Sequence, residues 1–173
     1  AEGQTTADFS GQNLGPMDMK IMAAEYGFQG FIAALNSLKC ANNPGMVGEL
    51  EYGELKTPDA HAEVFKQLTD NLKTSQVTEV DFSSCGIGPV ALGHLSEWVR
   101  DAEAAVTSIN CLANKFGDDA LATLLTAIEG TSVRSLCGLT EGQTIADFSG
   151  QNLGPIDMKI MAAEYGFQGF IAV

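Results

Sequence analysis

The chain has 173 residues, nine Lys+Arg against 22 Asp+Glu, a formal net charge of −13 and a pI near 4.3. Hydrophobic residues make up 45% and charged ones 18%, which excludes a disordered acidic tail and leaves ample material for a core. The acidity argues against nucleic acid or an anionic membrane as partner, since both need clustered Lys and Arg. No apolar run approaches the roughly 18 residues of a membrane-spanning helix.

The first residues, from Ala1, carry neither a basic segment nor an apolar stretch behind one, so no signal peptide is visible. Cys40, Cys85, Cys111 and Cys137 form no C-x-x-C pair, and no Asn begins a glycosylation sequon. These features predict a cytoplasmic chain with reduced thiols.

An internal repeat dominates the sequence. Glu2–Ala33 reads EGQTTADFSGQNLGPMDMKIMAAEYGFQGFIA and recurs from Glu141, 139 residues after Glu2, as EGQTIADFSGQNLGPIDMKIMAAEYGFQGFIA. Only Thr6/Ile145 and Met17/Ile156 differ over the 32 positions. The chain thus reads as a unit spanning 2–140 followed by the start of a second copy, 141–172, a segment of a longer array.

Within that unit a shorter motif recurs in chain order. The first copy predicts a strand around Ala7 and Phe9, then a helix opened by Gly15-Pro16. Leu38, Cys40 and Asn43 begin the next unit, which is interrupted by an insertion over 44–57 (PGMVGELEYGELKT) before a helix over Asp59–Leu72. That helix places Val64, Phe65, Leu68 and Leu72 on one face. Val77–Gly88 (VTEVDFSSCGIG) precedes a helix over Ala91–Val99, and Val106–Gly117 (VTSINCLANKFG) precedes one over Asp118–Glu129. Ser135–Leu139 reads as a strand with no helix behind it. Gly88-Pro89 and Gly154-Pro155 open helices as Gly15-Pro16 does, and Thr57-Pro58-Asp59 is expected to do the same after the insertion.

The pattern L-x-x-L-x-L-x-x-N/C-x-L followed by a helix resembles leucine-rich repeats, and the units of about 30 residues with both Cys and Asn at the ninth position resemble the ribonuclease-inhibitor subtype. The fourth, sixth, ninth and eleventh positions fall on Val80, Phe82, Cys85 and Ile87, and on Ile109, Cys111, Asn114 and Phe116. In the two copies they fall on Ala7, Phe9, Gln12 and Leu14, and on Ala146, Phe148, Gln151 and Leu153. The resemblance implies an α/β fold, a single leucine-rich repeat solenoid (horseshoe) over 1–173 with a parallel inner sheet and outer helices. Gln at the ninth position and the shortened interval between Leu136 and Ala146 depart from the family pattern.

The resemblance further implies a non-enzymatic protein–protein interaction scaffold. Its concave face is expected to carry Asp8 and Ser10, Lys39, Glu79, Asp81 and Ser83, Asn110, and Asp147 and Ser149, with Lys39 pairing to the flanking aspartates. Tyr52 in the insertion is a second candidate contact. A structural array that stacks head to tail is the alternative reading. Some proteins of this subtype resemble activators of small GTPases, although no residue here points to that activity.

No catalytic residue, metal or cofactor is expected. GIGPVALG (Gly86–Gly93) is spaced G-x-G-x-x-x-x-G, not G-x-G-x-x-G, and the same place in neighbouring units holds QNLGP and NKFGDD. His61 and His94 have no companion ligands in sequence, and Trp98 sits on a helix where packing is its expected role.

Overall fold

The computed structural model describes residues 3–170; the outermost residues of the duplicated segments, Glu2, Ile171 and Ala172, lie outside them. Four three-residue strands pair in parallel in chain order: β1 (Thr6–Asp8), β2 (Ser37–Lys39), β5 (Glu79–Asp81) and β6 (Ser108–Asn110). Their sequences, TAD, SLK, EVD and SIN, place an apolar residue between two polar ones, and a strand's period of two sends the middle residue to one face. Ala7, Leu38, Val80 and Ile109 share one register row and are all buried.

The ladder runs one residue past each strand, through Phe9 N–H to Lys39 O (2.8 Å), Cys40 N–H to Asp81 O (2.7 Å) and Phe82 N–H to Asn110 O (2.9 Å). The chain then turns through a left-handed residue at an equivalent place in every unit: Gly11, Asn42, Ser84 and Ala113, with φ of 66°, 60°, 50° and 58°. Two buried side chains satisfy the backbone there. The Asn114 amide donates to the carbonyls of Phe82, Cys111 and Leu112, while its oxygen accepts from Cys85 N–H and Ile87 N–H at 3.1 Å each. Asn43 donates to Phe9, Cys40 and Ala41 carbonyls and accepts from Leu14 N–H at 3.0 Å. Unpaired, these groups would carry a desolvation cost.

Helices follow the turns: α1 (Pro16–Gly27), α3 (Ala62–Leu72), α4 (Pro89–Asp101) and α5 (Asp118–Ile128). Pro occupies the first turn of α1 and α4, where its missing N–H costs nothing. α1 packs on α3, α3 on α4 and α4 on α5. A continuous apolar core lies between these helices and the buried row of the sheet, including fully buried Trp98 and an edge-to-face Phe65–Phe82 pair with centroids 5.2 Å apart. Lys73 ties α3 to α4 through Glu97 at 2.8 Å.

The insertion forms a short helix, α2 (Pro44–Val47), and an antiparallel hairpin of β3 (Glu49–Glu51) and β4 (Glu54–Thr57). It crosses closely over Gly86, where φ is +78° and a Cβ would lie 2.5 Å from Gly48 N. The glycine of the GIG motif is therefore required by backbone contact. The helix after the insertion starts at Ala62, later than Asp59. Asp59 turns away to cap the neighbouring helix: its carboxylate accepts from Gly88, Val90 and Ala91 N–H at 2.7, 2.8 and 3.0 Å. A carboxylate at a helix N-terminus both fills orphan donors and meets the dipole favourably.

The second copy folds differently from the first. Ser135 and Cys137 make only isolated bridges to Ser108 and Asn110. Residues 144–149 form no strand and Ala146 is exposed, so the expected strand there is absent. Parallel neighbours need a crossover of a dozen or more residues, and the interval from Leu136 to Ala146 is too short to supply one. A last helix, α6 (Pro155–Gly166), does form and seats against the end of the stack. Ala113 N–H donates to Asp157 and Leu136 N–H to Glu164, both at 2.8 Å, and Phe170 N–H donates to Arg134 O at 2.7 Å. Among the described residues no helix is long and apolar enough to cross a membrane.

Candidate protein-binding surface

The open face of the parallel sheet carries the outer residues of each strand. Asp8, Lys39, Asp81 and Asn110 lie in one register row, and Thr6, Ser37, Glu79 and Ser108 in another. The structure thus brings together Asp8, Lys39, Glu79, Asp81 and Asn110 of the expected contacts. Asp147 and Ser149 are exposed but lie on the strandless segment and do not extend either row.

Most of the row's acceptors already serve the turn that follows their strand. Asp8 accepts from Ser10 N–H at 2.9 Å, Asp81 from Ser83 N–H at 3.0 Å and Ser83 Oγ at 2.7 Å, and Asn110 from Leu112 N–H at 3.1 Å. Asp147 repeats the bond to Ser149 N–H at 2.9 Å, so this local turn forms even without the strand. These are side-chain-to-backbone turns in which Asp and Asn mimic a backbone carbonyl. Hydrogen bonds from Ser10, then the charge of Lys39, hold Asp8 below its usual carboxylate range, and Ser149 does the same to Asp147. The expected ladder of ion pairs is not formed: the carboxylates turn toward their own serines, and Lys39 has no carboxylate within 4.0 Å among the described residues.

Ser83 is buried with its hydroxyl committed to Asp81, and Ser37, Ser108, Leu112 and Cys137 are buried as well. The accessible part of the face is consequently Asp8, Lys39 and the half-buried Ser10, Glu79, Asp81 and Asn110. Asp81, Ser83 and Asn110 also line a dimple of about 200 Å³ whose rim includes Gln151 of the second copy. Tyr52 stands 98% exposed at the hairpin tip and joins none of these residues.

A second set of exposed side chains was not singled out by the sequence reading. Met17, Ile21, Phe28 and Phe31 are exposed in the first copy, and Met158 and Tyr165 in the second. The signal for them lies in the repeated helix itself, which has apolar residues on both sides (Met17 and Ile21; Met19, Met22 and Tyr26) rather than in a single stripe.

All four cysteines are buried free thiols. Burial raises Cys40 and Cys111 to about 12, with Asp81 reinforcing the first and Asp157 the second, and it also raises Cys85 and Cys137. They act as small core residues. The two histidines are half-buried. Neither a scan against protein-family models nor a search of curated proteins returns a match to this chain.

Proposed function

We propose that this chain is a leucine-rich repeat solenoid of the horseshoe kind, acting as a non-enzymatic scaffold that binds a protein partner on the exposed face of its parallel sheet. The observation that carries the reading is the repeated unit itself. A three-residue parallel strand with a buried centre leads into a left-handed turn braced by a buried Asn, then into a helix stacked on its neighbour. Such a unit cannot bury its apolar side alone, and stacking supplies the missing cover. The strand ends are then left as a rigid, regularly spaced row of polar groups.

The face is mildly acidic, with Asp8 and Asp81 flanking Lys39 in one row and Glu79 in the other, on a chain of net charge −13. A partner presenting basic side chains fits it, through steering and specificity more than raw affinity. Lys39→Glu and Glu79→Lys alter the face, one in each row, without touching the Asp8 and Asp81 turns. Cross-linking mass spectrometry of captured complexes tests the reading. Partner cross-links confined to this face, lost in Glu79→Lys with the fold intact, support it; cross-links unchanged by both substitutions, or centred on Tyr52, remove the sheet face as the site.

A further inference from the structure

The segment seated on β2 and α3 has a near-identical twin in the same chain. Residues 3–31 make that contact through backbone atoms. Thr5 O accepts from Asn36 N–H at 3.0 Å, Phe9 and Gly11 N–H donate to the Lys39 and Ala41 carbonyls at 2.8 and 2.9 Å, and Ala23 O accepts from the Asn71 amide at 2.7 Å. The side chains buried from β1 and α1 are Ala7, Met19, Met22, Ala23 and Tyr26, and α1 packs on α3. Their counterparts Ala146, Met158, Met161, Ala162 and Tyr165 are the same residue types. The two positions that differ, Thr6/Ile145 and Met17/Ile156, are both exposed in the first segment. Nothing in the seat therefore tells one segment from the other.

The twin also holds the shape the seat requires. Left-handed Gly11, Asn13 and Gln29, with φ of 66°, 56° and 57°, match Gly150, Asn152 and Gln168 at 68°, 55° and 60°. The Asp8–Ser10 and Asp147–Ser149 turns both close at 2.9 Å. Asp18 and Asp157 both cap their helices, accepting from Gly15 and Gly154 N–H at 2.8 Å. The second segment differs in lacking the three-residue strand, and its Ala146, Met158, Ala162 and Tyr165 are exposed. A bare strand edge is a template for pairing with another chain.

We infer that the β2/α3 seat is an exchangeable interface, on which residues 142–170 of a second copy of this chain take the place of residues 3–31. A chain's own second segment is held at the opposite end of the ladder, beyond β6, by Ala113, Arg134 and Leu136, so a second copy supplies the occupant. The displaced segment keeps a place to go. Its Asp18 and Glu25 are the counterparts of Asp157 and Glu164, the acceptors for Ala113 and Leu136 N–H at the position the donor segment has left. Exchange of like elements conserves contacts and is a low-cost route to a dimer. The open face of the sheet survives the exchange, with Asp147 standing where Asp8 stood, so this contact is independent of what that face binds.

Disulfide trapping between full-length chains tests it. Parallel neighbours lie about 4.8 Å apart, within the roughly 7 Å between Cα atoms that a disulfide bridges, and the next strand is twice as far. In the exchanged state residue 147 stands beside Lys39, the register partner of Asp8, and two strands from β5. Lys39→Cys and Asp147→Cys chains are mixed at high concentration in sub-denaturing urea, returned to buffer and mildly oxidised, with circular dichroism checking the fold. The four native thiols are buried. The expected product is a 39–147 cross-linked dimer, mapped by mass spectrometry, in about tenfold the yield of Glu79→Cys with Asp147→Cys, which the longer separation disfavours. Met158→Glu added to the Asp147→Cys chain should abolish it, because position 158 is exposed in its own chain and takes the fully buried place of Met19 after exchange. A 39–147 yield no greater than the 79–147 yield, or one unmoved by Met158→Glu, would overturn the inference. Tyr165→Asp repeats that arm should Met158→Glu misfold.

Discussion

Ile21 and Ile160 hold the same place in two near-identical segments, yet Ile21 is 61% exposed and Ile160 is fully buried. Sequence and local conformation are shared, so neighbours alone account for the difference. Ile160 lies in the core at the end of the stack, and nothing among the described residues buries Ile21. Burying such a side chain is worth about 1.5–3 kcal/mol, which the first copy leaves unrealised. A helix with apolar residues on both sides suits a unit with neighbours on both sides.

Asn114 is the hydrogen-bond hub of the turn between β6 and α5. Asn114→Ala leaves the N–H groups of Cys85 and Ile87 and the carbonyl of Phe82 buried without their partner. A loss of about 3 kcal/mol is expected from unsatisfied groups of this kind. Urea denaturation checks it: the midpoint should fall with the slope unchanged. An unchanged midpoint would show that water replaces the amide.

Asp59 stabilises a helix that is not its own. Asp59→Ala removes the acceptor for three N–H groups at the start of α4 and should cost about 2 kcal/mol, the upper range for a cap. Because Asp59 has φ of 62°, Asp59→Asn is the milder control: Asn tolerates that backbone and keeps one acceptor. Hydrogen exchange should quicken at Val90 and Ala91 first.

The buried thiols make stability fall in alkali. Cys40 and Cys111 are raised by burial from 9.0 to about 12. The folded state therefore favours the neutral thiol over the range in which the unfolded chain ionises. Their contribution is complete below pH 9 and declines as pH rises from there through about 12. Native protein near pH 8 should not react with an aromatic disulfide reagent, and all four thiols should react after denaturation. Rapid reaction of the native chain would show that the core opens.

The strand–turn–helix rhythm was legible because it rests on local patterns: polar–apolar–polar strands, a turn residue, and Gly-Pro at the helix start. The in-register row from Asp8 to Asn110 follows directly from it. Other features depended on distant partners. Asp59 looked like the start of its own helix and caps another 30 residues away, because the insertion redirects the chain over Gly86. Ala146 carries the same pattern as Ala7 and makes no strand, because the interval after Leu136 lacks a crossover. The uncovered sides of α1 and α6 were written in the repeated helix, but which side each copy exposes depends on what stands beside it.

The opposite use of the two helix sides is best tested at the methionines. Met17 and Met158 are 64% and 66% exposed, whereas Met19 and Met46 are fully buried and Met22 is nearly so. Brief peroxide oxidation of dilute protein, read residue by residue by mass spectrometry, should modify Met17 and Met158 rapidly and spare Met19, Met22 and Met46. Met19 and Met158 are counterparts in the two copies. Equal oxidation of that pair would mean that both copies bury the same side, contradicting the account.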